Sequence, residues 1–309
     1  MRNAFIEELY ELVKENKNVL GLAADNGAIV FDKFRKDFPE NFINFGIAEA
    51  NMISVAAGLA SCGKIPFAYT IASFITMRAF EQVRNDICMQ KMNVKLAGIG
   101  AGFVYSDLGP THHAVEDIAL MNILPNMTIF APADPLEARK CARTATEILG
   151  PVYIRLTTGG TPKIYDSKSN FYFKAGEGTI LNEGRDIAVI ACGSIVYETK
   201  KAIDELVKKG ISIKFINLHT LKPVDEKIII ETASNIGKIL TVEEHSITGG
   251  LGSIIESVLF KHRKTNVILK KMGLNGFPDG YGKYDEMKEI NGLSKNHIIQ
   301  EIEGLLKIT

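Results

Sequence analysis

Apolar and polar positions along the chain fall into strand-length and helix-length segments that alternate. Short unbroken apolar runs at residues 19–24, 42–45, 66–71, 94–99, 127–131 and 152–156 predict strands buried on both faces. Helical patterns separate them. Residues 5–16 place Phe5, Ile6, Leu9, Leu12 and Val13 at amphipathic spacing, and residues 31–38 stop at Pro39. The apolar run after Glu49 ends at Gly63, and residues 74–88 predict one long helix. Helices over 114–121 and 135–149 complete this half. The stretch 158–182 is polar and weakly periodic and holds Gly159-Gly160-Thr161-Pro162, so it predicts a linker. A second alternation follows: strands over 187–192, 211–216, 238–242 and 266–270, with helices over 195–208, 225–233 and 250–260. The expectation is an α/β protein of two doubly wound domains, each with a mainly parallel sheet covered by helices on both faces. The expected boundaries are 1–160 for the first domain, 161–182 for the linker and 183–309 for the second.

Ligands in such folds bind at the carboxyl ends of strands. Three chemically rich loops follow predicted strands there: residues 25–27, 44–51 and 100–113. Glu49 lies among small and apolar residues and leads into a helix. It admits two readings. A Glu at a solvated helix start is favoured by the helix dipole. A buried Glu needs a partner or a ligand, and burial would suit it to proton exchange with a ring nitrogen. Asp25 reads as a turn residue or a ligand. In Ser106-Asp107-Leu108-Gly109-Pro110-Thr111-His112-His113, Gly-Pro sets a turn and presents a hydroxyl with an imidazole. Thr111 there reads as the cap of the next helix. Phe74 and Phe80 read as core residues or as walls for a flat ring. Glu243-Glu244-His245 leads into Thr248-Gly249-Gly250-Leu251-Gly252, which reads as a close-packing turn or an anion site.

Composition narrows the function. Lys plus Arg equals Asp plus Glu at 36 each, so there is no electrostatic footprint for nucleic acid or an anionic membrane. No apolar run approaches the roughly 20 residues that span a bilayer. The N-terminal residues have no signal-peptide core. The four cysteines are scattered among apolar neighbours and read as reduced core thiols, which points to the cytoplasm. No zinc-type spacing appears, and no metal ligands are expected on this chain.

Ordered matches along nearly the whole chain then carry a resemblance. They are Gly46-Ile47-Ala48-Glu49, Ala56-Ala57-Gly58-Leu59-Ala60, Gly109-Pro110-Thr111-His112, Glu116-Asp117, Pro125-Asn126-Met127-Thr128, Pro132-Ala133-Asp134, Gly150-Pro151, and Glu243-Glu244-His245 with Gly249-Gly250-Leu251-Gly252. The chain resembles the transketolase family, as its pyrimidine-binding domain joined to its C-terminal domain. The family's Gly-Asp-Gly…Asn motif is absent. The resemblance therefore implies a split transketolase that uses thiamine diphosphate. Mg2+ or another divalent metal is held by an N-terminal diphosphate-binding subunit, in an α2β2 heterotetramer with self-association of this chain. Glu49 is implied to hydrogen-bond the aminopyrimidine ring nitrogen and so promote loss of the thiazolium C2 proton. Ile47, Phe74, Met77, Phe80 and Asp25 are implied to contact the cofactor. His112, with Glu49, is implied to be catalytic, and His112, Asp107 and Arg2 to contact a sugar substrate.

The chain also departs from the pattern. Ala50 replaces a usual Gln, and Met77 a stacking Phe. Gly100 replaces a substrate-facing His. Leu108 stands where an Asp reads a sugar hydroxyl, with Asp107 adjacent, and Thr158 replaces an Arg that holds phosphate. Loss of a guanidinium fork alters a phosphate site, so a modified or unphosphorylated sugar is admitted. Three alternatives remain at this point: the β-type subunit of a 2-oxo acid dehydrogenase, a deoxyxylulose-phosphate synthase-like enzyme, and a non-catalytic scaffold subunit.

Overall fold

A computed structural model describes residues 1–26, 29–165 and 171–308. Gly27 of the predicted 25–27 turn and residues 166–170 of the predicted linker lie outside the described residues. The first half forms β1 (Val19–Ala23), β2 (Phe42–Asn44), β3 (Ile65–Ile71), β4 (Lys95–Ile99), β5 (Thr128–Phe130) and β6 (Val152–Leu156). The second forms β7 (Thr179–Asn182), β8 (Ile187–Ala191), β9 (Ile213–Asn217), β10 (Thr220–Lys222), β11 (Lys238–Ser246) and β12 (Ile268–Leu274). The seven-stranded sheet runs β10-β5-β6-β4-β3-β1-β2 and the five-stranded sheet β12-β11-β8-β9-β7. Every pairing is parallel except β10 on β5 and β7 on β9. Strands β1, β4, β6 and β8 are buried along their whole length. That burial is what their unbroken apolar runs require.

The helices cover both faces. Helices α1 (Arg2–Glu15), α2 (Asp32–Asp37) and α3 (Glu49–Ser61) belong to the first half. So do residues 74–88, where wide π turns at Phe74–Arg78 and Val83–Cys88 flank one α turn, α4 (Phe80–Gln82). Next come α5 (Asp117–Asn122) and α6 (Pro135–Glu147), and then α7 (Ile195–Lys208), α8 (Glu226–Asn235), α9 (Leu251–Lys261), α10 (Tyr284–Ile290) and α11 (Lys295–Leu306). Phe5, Leu9 and Cys141 pack α1 and α6 on one face of the first sheet. Ile53, Val83 and Ile87 pack on the other, in an apolar cluster that runs on into the second sheet through Ile190, Ile229 and Ile255. Ile203, Met287 and Ile302 close the outer face of the second sheet.

Several expectations change here. The predicted single helix over 74–88 is interrupted by π turns, which often mark functional sites. Thr111 caps no helix: it lies in a 3-10 turn, and α5 begins at Asp117. Strand β7 falls within the predicted linker, and β10 leaves the second half to extend the first sheet. Helices α10 and α11 lie beyond the elements that the residue pattern predicts. Cys88, Cys141 and Cys192 are buried free thiols, but Cys62 is exposed. The Gly249–Gly252 turn is a close-packing turn. A Cβ at Gly250 would collide with Glu243, whose carboxylate accepts the N–H groups of Leu251 (2.6 Å) and Gly252 (2.8 Å). The anion at the start of α9 is therefore the protein's own.

A buried polar network ties the halves together. Arg155 on β6 donates from Nε to Asp117 Oδ2 at 2.8 Å and from Nη2 to the carbonyls of Ala114 (2.9 Å) and Glu244 (3.0 Å). Tyr153 donates to the same Asp117 oxygen at 2.6 Å. Glu244 on β11 accepts from Phe103 N–H (2.6 Å), Ser194 (3.1 Å) and Tyr284 (2.6 Å). His245 fits the Nδ1–H tautomer. Nδ1 lies 2.7 Å from the Ser246 carbonyl, and Nε2 faces the Ala119 N–H at 3.4 Å. Burial lowers its pKa to about 4 and raises that of Glu243 to about 7.

Two outcomes follow from this network. Asp117→Ala leaves the Arg155 charge buried and unpaired, and is expected to cost about 3–5 kcal/mol in urea denaturation at neutral pH. His245 is neutral when folded but protonates below pH 6.5 when unfolded, so its contribution to stability falls as pH drops from 6.5 towards 4. The stability deficit of His245→Gln relative to wild type should accordingly shrink by roughly 2 kcal/mol between pH 7 and pH 4.5.

Candidate active site

The site lies at the carboxyl edge of the first sheet, where loops leaving β2, β3 and β4 converge. Glu49 is the first residue of α3 and is 5% exposed. Its Oε1 accepts from Arg78 Nη1 at 3.1 Å. Arg78 closes the π turn Phe74–Arg78, and its guanidinium lies 3.7 Å over the Phe74 ring. Arg78 follows Phe74 by four residues, so the two side chains share one face and form a cation–π pair. Phe74 in turn meets the His112 imidazole edge-on, with centroids 5.1 Å apart. His112 meets Tyr105 edge-on at 6.4 Å. Burial raises the Tyr105 pKa, and Arg2 opposes this by charge and hydrogen bonding.

A continuous series of contacts thus runs Glu49–Arg78–Phe74–His112–Tyr105, with Arg2 near its far end. Four of these residues stand out in the sequence. Arg78 and Tyr105 do not. Arg78 sits within a polar helix face whose residue pattern reads as α rather than π. Tyr105 sits in a loop with no periodic signal. Thr111 Oγ1 lies 3.0 Å from His112 Nδ1 and fixes the ring, and Ser73 Oγ donates to the Thr111 carbonyl at 3.2 Å. The hydroxyl expected to cap a helix instead positions the imidazole.

The other predicted residues surround this series unevenly. Met77 and Ile47 are 39% and 79% exposed and present apolar surface to solvent. Phe80 is partly buried against the core. Asp25 is exposed, at φ 49°, and exchanges hydrogen bonds with Asn44: its N–H donates to Oδ1 (3.0 Å) and its Oδ1 accepts from Nδ2 (3.3 Å). Asp107 and Leu108 are both exposed in the turn Ser106–Leu108. Thr158 lies in a separate cleft of about 360 Å³ between the halves, with Ser194, Lys201, Tyr284 and Lys288. Both lysines there are paired, Lys201 with Glu198 (2.8 Å) and Lys288 with Glu198 (3.1 Å) and Asp285 (2.9 Å).

Fold and site together define a two-sheet α/β chain with a buried carboxylate beside an aromatic and apolar wall at a strand edge. The chain belongs to the transketolase family. The family model "Transketolase, pyrimidine binding domain" matches residues 1–163, and "Transketolase, C-terminal domain" matches residues 176–298. A putative transketolase C-terminal section of Methanocaldococcus jannaschii is 39% identical over 308 residues, covering 99% of this chain and 96% of the relative. An apulose-4-phosphate transketolase subunit of Actinobacillus succinogenes is 34% identical, covering 97% of this chain and 96% of the relative. A solved structure described as a split-gene transketolase, inactive beta4 tetramer, superposes with a TM-score of 0.91 at 39% identity, covering 99% of this chain and 98% of that one.

The Glu49–Arg78 pair joins one buried group to a guanidinium whose side chain is 51% exposed. A double-mutant cycle of Glu49→Gln and Arg78→Ala, read by urea denaturation, is expected to give a coupling of about 0.5–1 kcal/mol that shrinks in high salt.

Proposed function

We propose that this chain is the pyrimidine-binding subunit of a two-chain, thiamine diphosphate-dependent transketolase that moves a two-carbon ketol unit between sugars. The observation that carries the reading is Glu49: a carboxylate removed from water and held through one oxygen by Arg78, whose guanidinium lies over the Phe74 ring. A buried acid next to an apolar wall fits the proton-sharing edge and the flat face of an aminopyrimidine. Thiamine diphosphate, when bound, supplies the carbon nucleophile that takes up and passes on the two-carbon unit.

In this reading Glu49 shares a proton with the pyrimidine ring nitrogen, and its burial keeps water from competing for that proton. Phe74, Met77, Phe80 and Ile47 orient the ring, and Asp25, pinned by Asn44, contributes from the adjoining strand end. His112 has its ring set by Thr111 and hydrogen-bonds a substrate oxygen. Arg2 and Asp107 receive the remainder of the sugar. The diphosphate and its divalent metal belong to the partner chain. Matches to the pyrimidine-binding and C-terminal models support that division, as do relatives named as a C-terminal section and as one subunit of a transketolase. The beta4 tetramer described for a similar chain supports self-association within an α2β2 complex. The apulose-4-phosphate relative supports a modified sugar as substrate. Among the described residues no helix is long and apolar enough to cross a membrane. The free cysteines suit the reducing cytoplasm, where we place the complex.

Mixing the chain with its diphosphate-binding subunit tests the reading. Glu49→Gln should preserve the unfolding midpoint within a few degrees and lower kcat by at least about 100-fold. Unchanged turnover in that variant would sink the catalytic assignment. Tight calorimetric binding of thiamine diphosphate to the isolated chain would sink the two-chain one.

A further inference from the structure

Glu49 and His112 have roles in the reading above, but Tyr105 has none. It is half-buried in the loop that follows β4. The chain leaves β4 at Gly100 with φ 86°, and a Cβ added there would fall into the Tyr105 ring. The ring thus fills the volume that a side chain at position 100 would need. It also meets the His112 imidazole edge-on and lies close enough to the Arg2 guanidinium for that charge to act on its phenol, and both groups are assigned to the substrate. The loop that carries it is tied down. Ala101 N–H donates to Leu156 O (3.0 Å), Ser106 N–H to Phe103 O (2.8 Å), Leu108 N–H to Tyr105 O (3.0 Å), and Phe103 N–H to the buried Glu244 carboxylate. A Cβ at Gly102 would collide with that same carboxylate, so the loop and the second half fit closely.

We propose that Tyr105 is the specificity-determining residue of this site. It is a wall that shortens the space between His112 and Arg2 and selects compact aldehyde acceptors with an anionic end over extended, polyhydroxylated ones. Two effects act in that direction. The ties of its loop hold the Tyr105 backbone in place, which keeps the ring's volume beside Gly100. Its face also offers no partner to a sugar hydroxyl, and a hydroxyl pressed against it is left unpaired. Arg2, beside the phenol, supplies the cation for the anionic end. The assignment rests on the ketol-transfer reading.

The test uses the reconstituted two-chain complex with β-hydroxypyruvate as donor and either D-glyceraldehyde 3-phosphate or D-ribose 5-phosphate as acceptor. Wild type should favour the compact acceptor in kcat/KM, and Tyr105→Ala should reduce that preference roughly tenfold. An unchanged preference in an active Tyr105→Ala complex overturns the assignment and leaves ketol transfer standing. Turnover of neither acceptor by the wild-type complex overturns both. A second readout needs no activity. Gly100→Ala should lower the unfolding midpoint more in wild type than in a Tyr105→Ala background, because the backbone strain persists while the collision is removed. Equal losses in the two backgrounds overturn the steric claim.

Discussion

The buried Asp117–Arg155 ion pair is the constraint on which the site's geometry depends. A guanidinium removed from water is tolerable when its donors are satisfied and its charge is met. Arg155 meets its charge with Asp117 and sends its Nε and Nη2 donors to three places at once: the carboxylate that begins α5, the carbonyl of Ala114 at the end of the site loop, and the carbonyl of Glu244 in the second half. Glu244 returns the connection by accepting the N–H of Phe103 at the other end of that loop. Loop residues 103–114 are therefore held at both ends by buried charge. The second half buttresses a site to which it contributes none of the residues proposed for chemistry.

Within that frame the site works as a relay of contacts rather than as a cluster around one pocket. Glu49 is buried by the packing of α3 and reaches the surface through Arg78. The aromatic sequence Phe74, His112, Tyr105 then carries a defined wall away from it. The π turns at Phe74–Arg78 and Val83–Cys88 fall in this part of the chain. The departure from regular geometry sits where the chemistry is placed.

Strands β1, β4, β6 and β8 are legible in the sequence because their runs are apolar nearly throughout, which burial on both faces explains. Glu49, His112 and Phe74 are legible as candidates because each stands in a loop or helix start after a predicted strand, and the family resemblance implies the roles proposed for them. The interruption of the helix at 74–88 is not legible, since α and π turns share the same apolar and polar residue types. Thr111 misleads because a hydroxyl shortly before a helix looks the same whether it bonds a backbone N–H or an imidazole. Strand β10 covers only Thr220–Lys222 and carries no period, so its addition to the first sheet cannot be read locally. The burial of Glu243, Glu244 and His245 runs against the ordinary expectation that charged residues lie outside, because several of their partners are distant in the chain.

The sequence by itself determined the α/β class, the two-part organisation and the family, since strand periodicity and ordered motifs are properties of local residue order. It also marked Glu49 as an acid at a strand's carboxyl edge. Tertiary structure alone decided that this acid is buried, that Arg78 is its partner, that Thr111 orients His112, and that Tyr105 occupies the room beside Gly100. Each of those facts depends on groups brought together across the fold. Their energies come from desolvation and close packing, which residue order specifies but does not display.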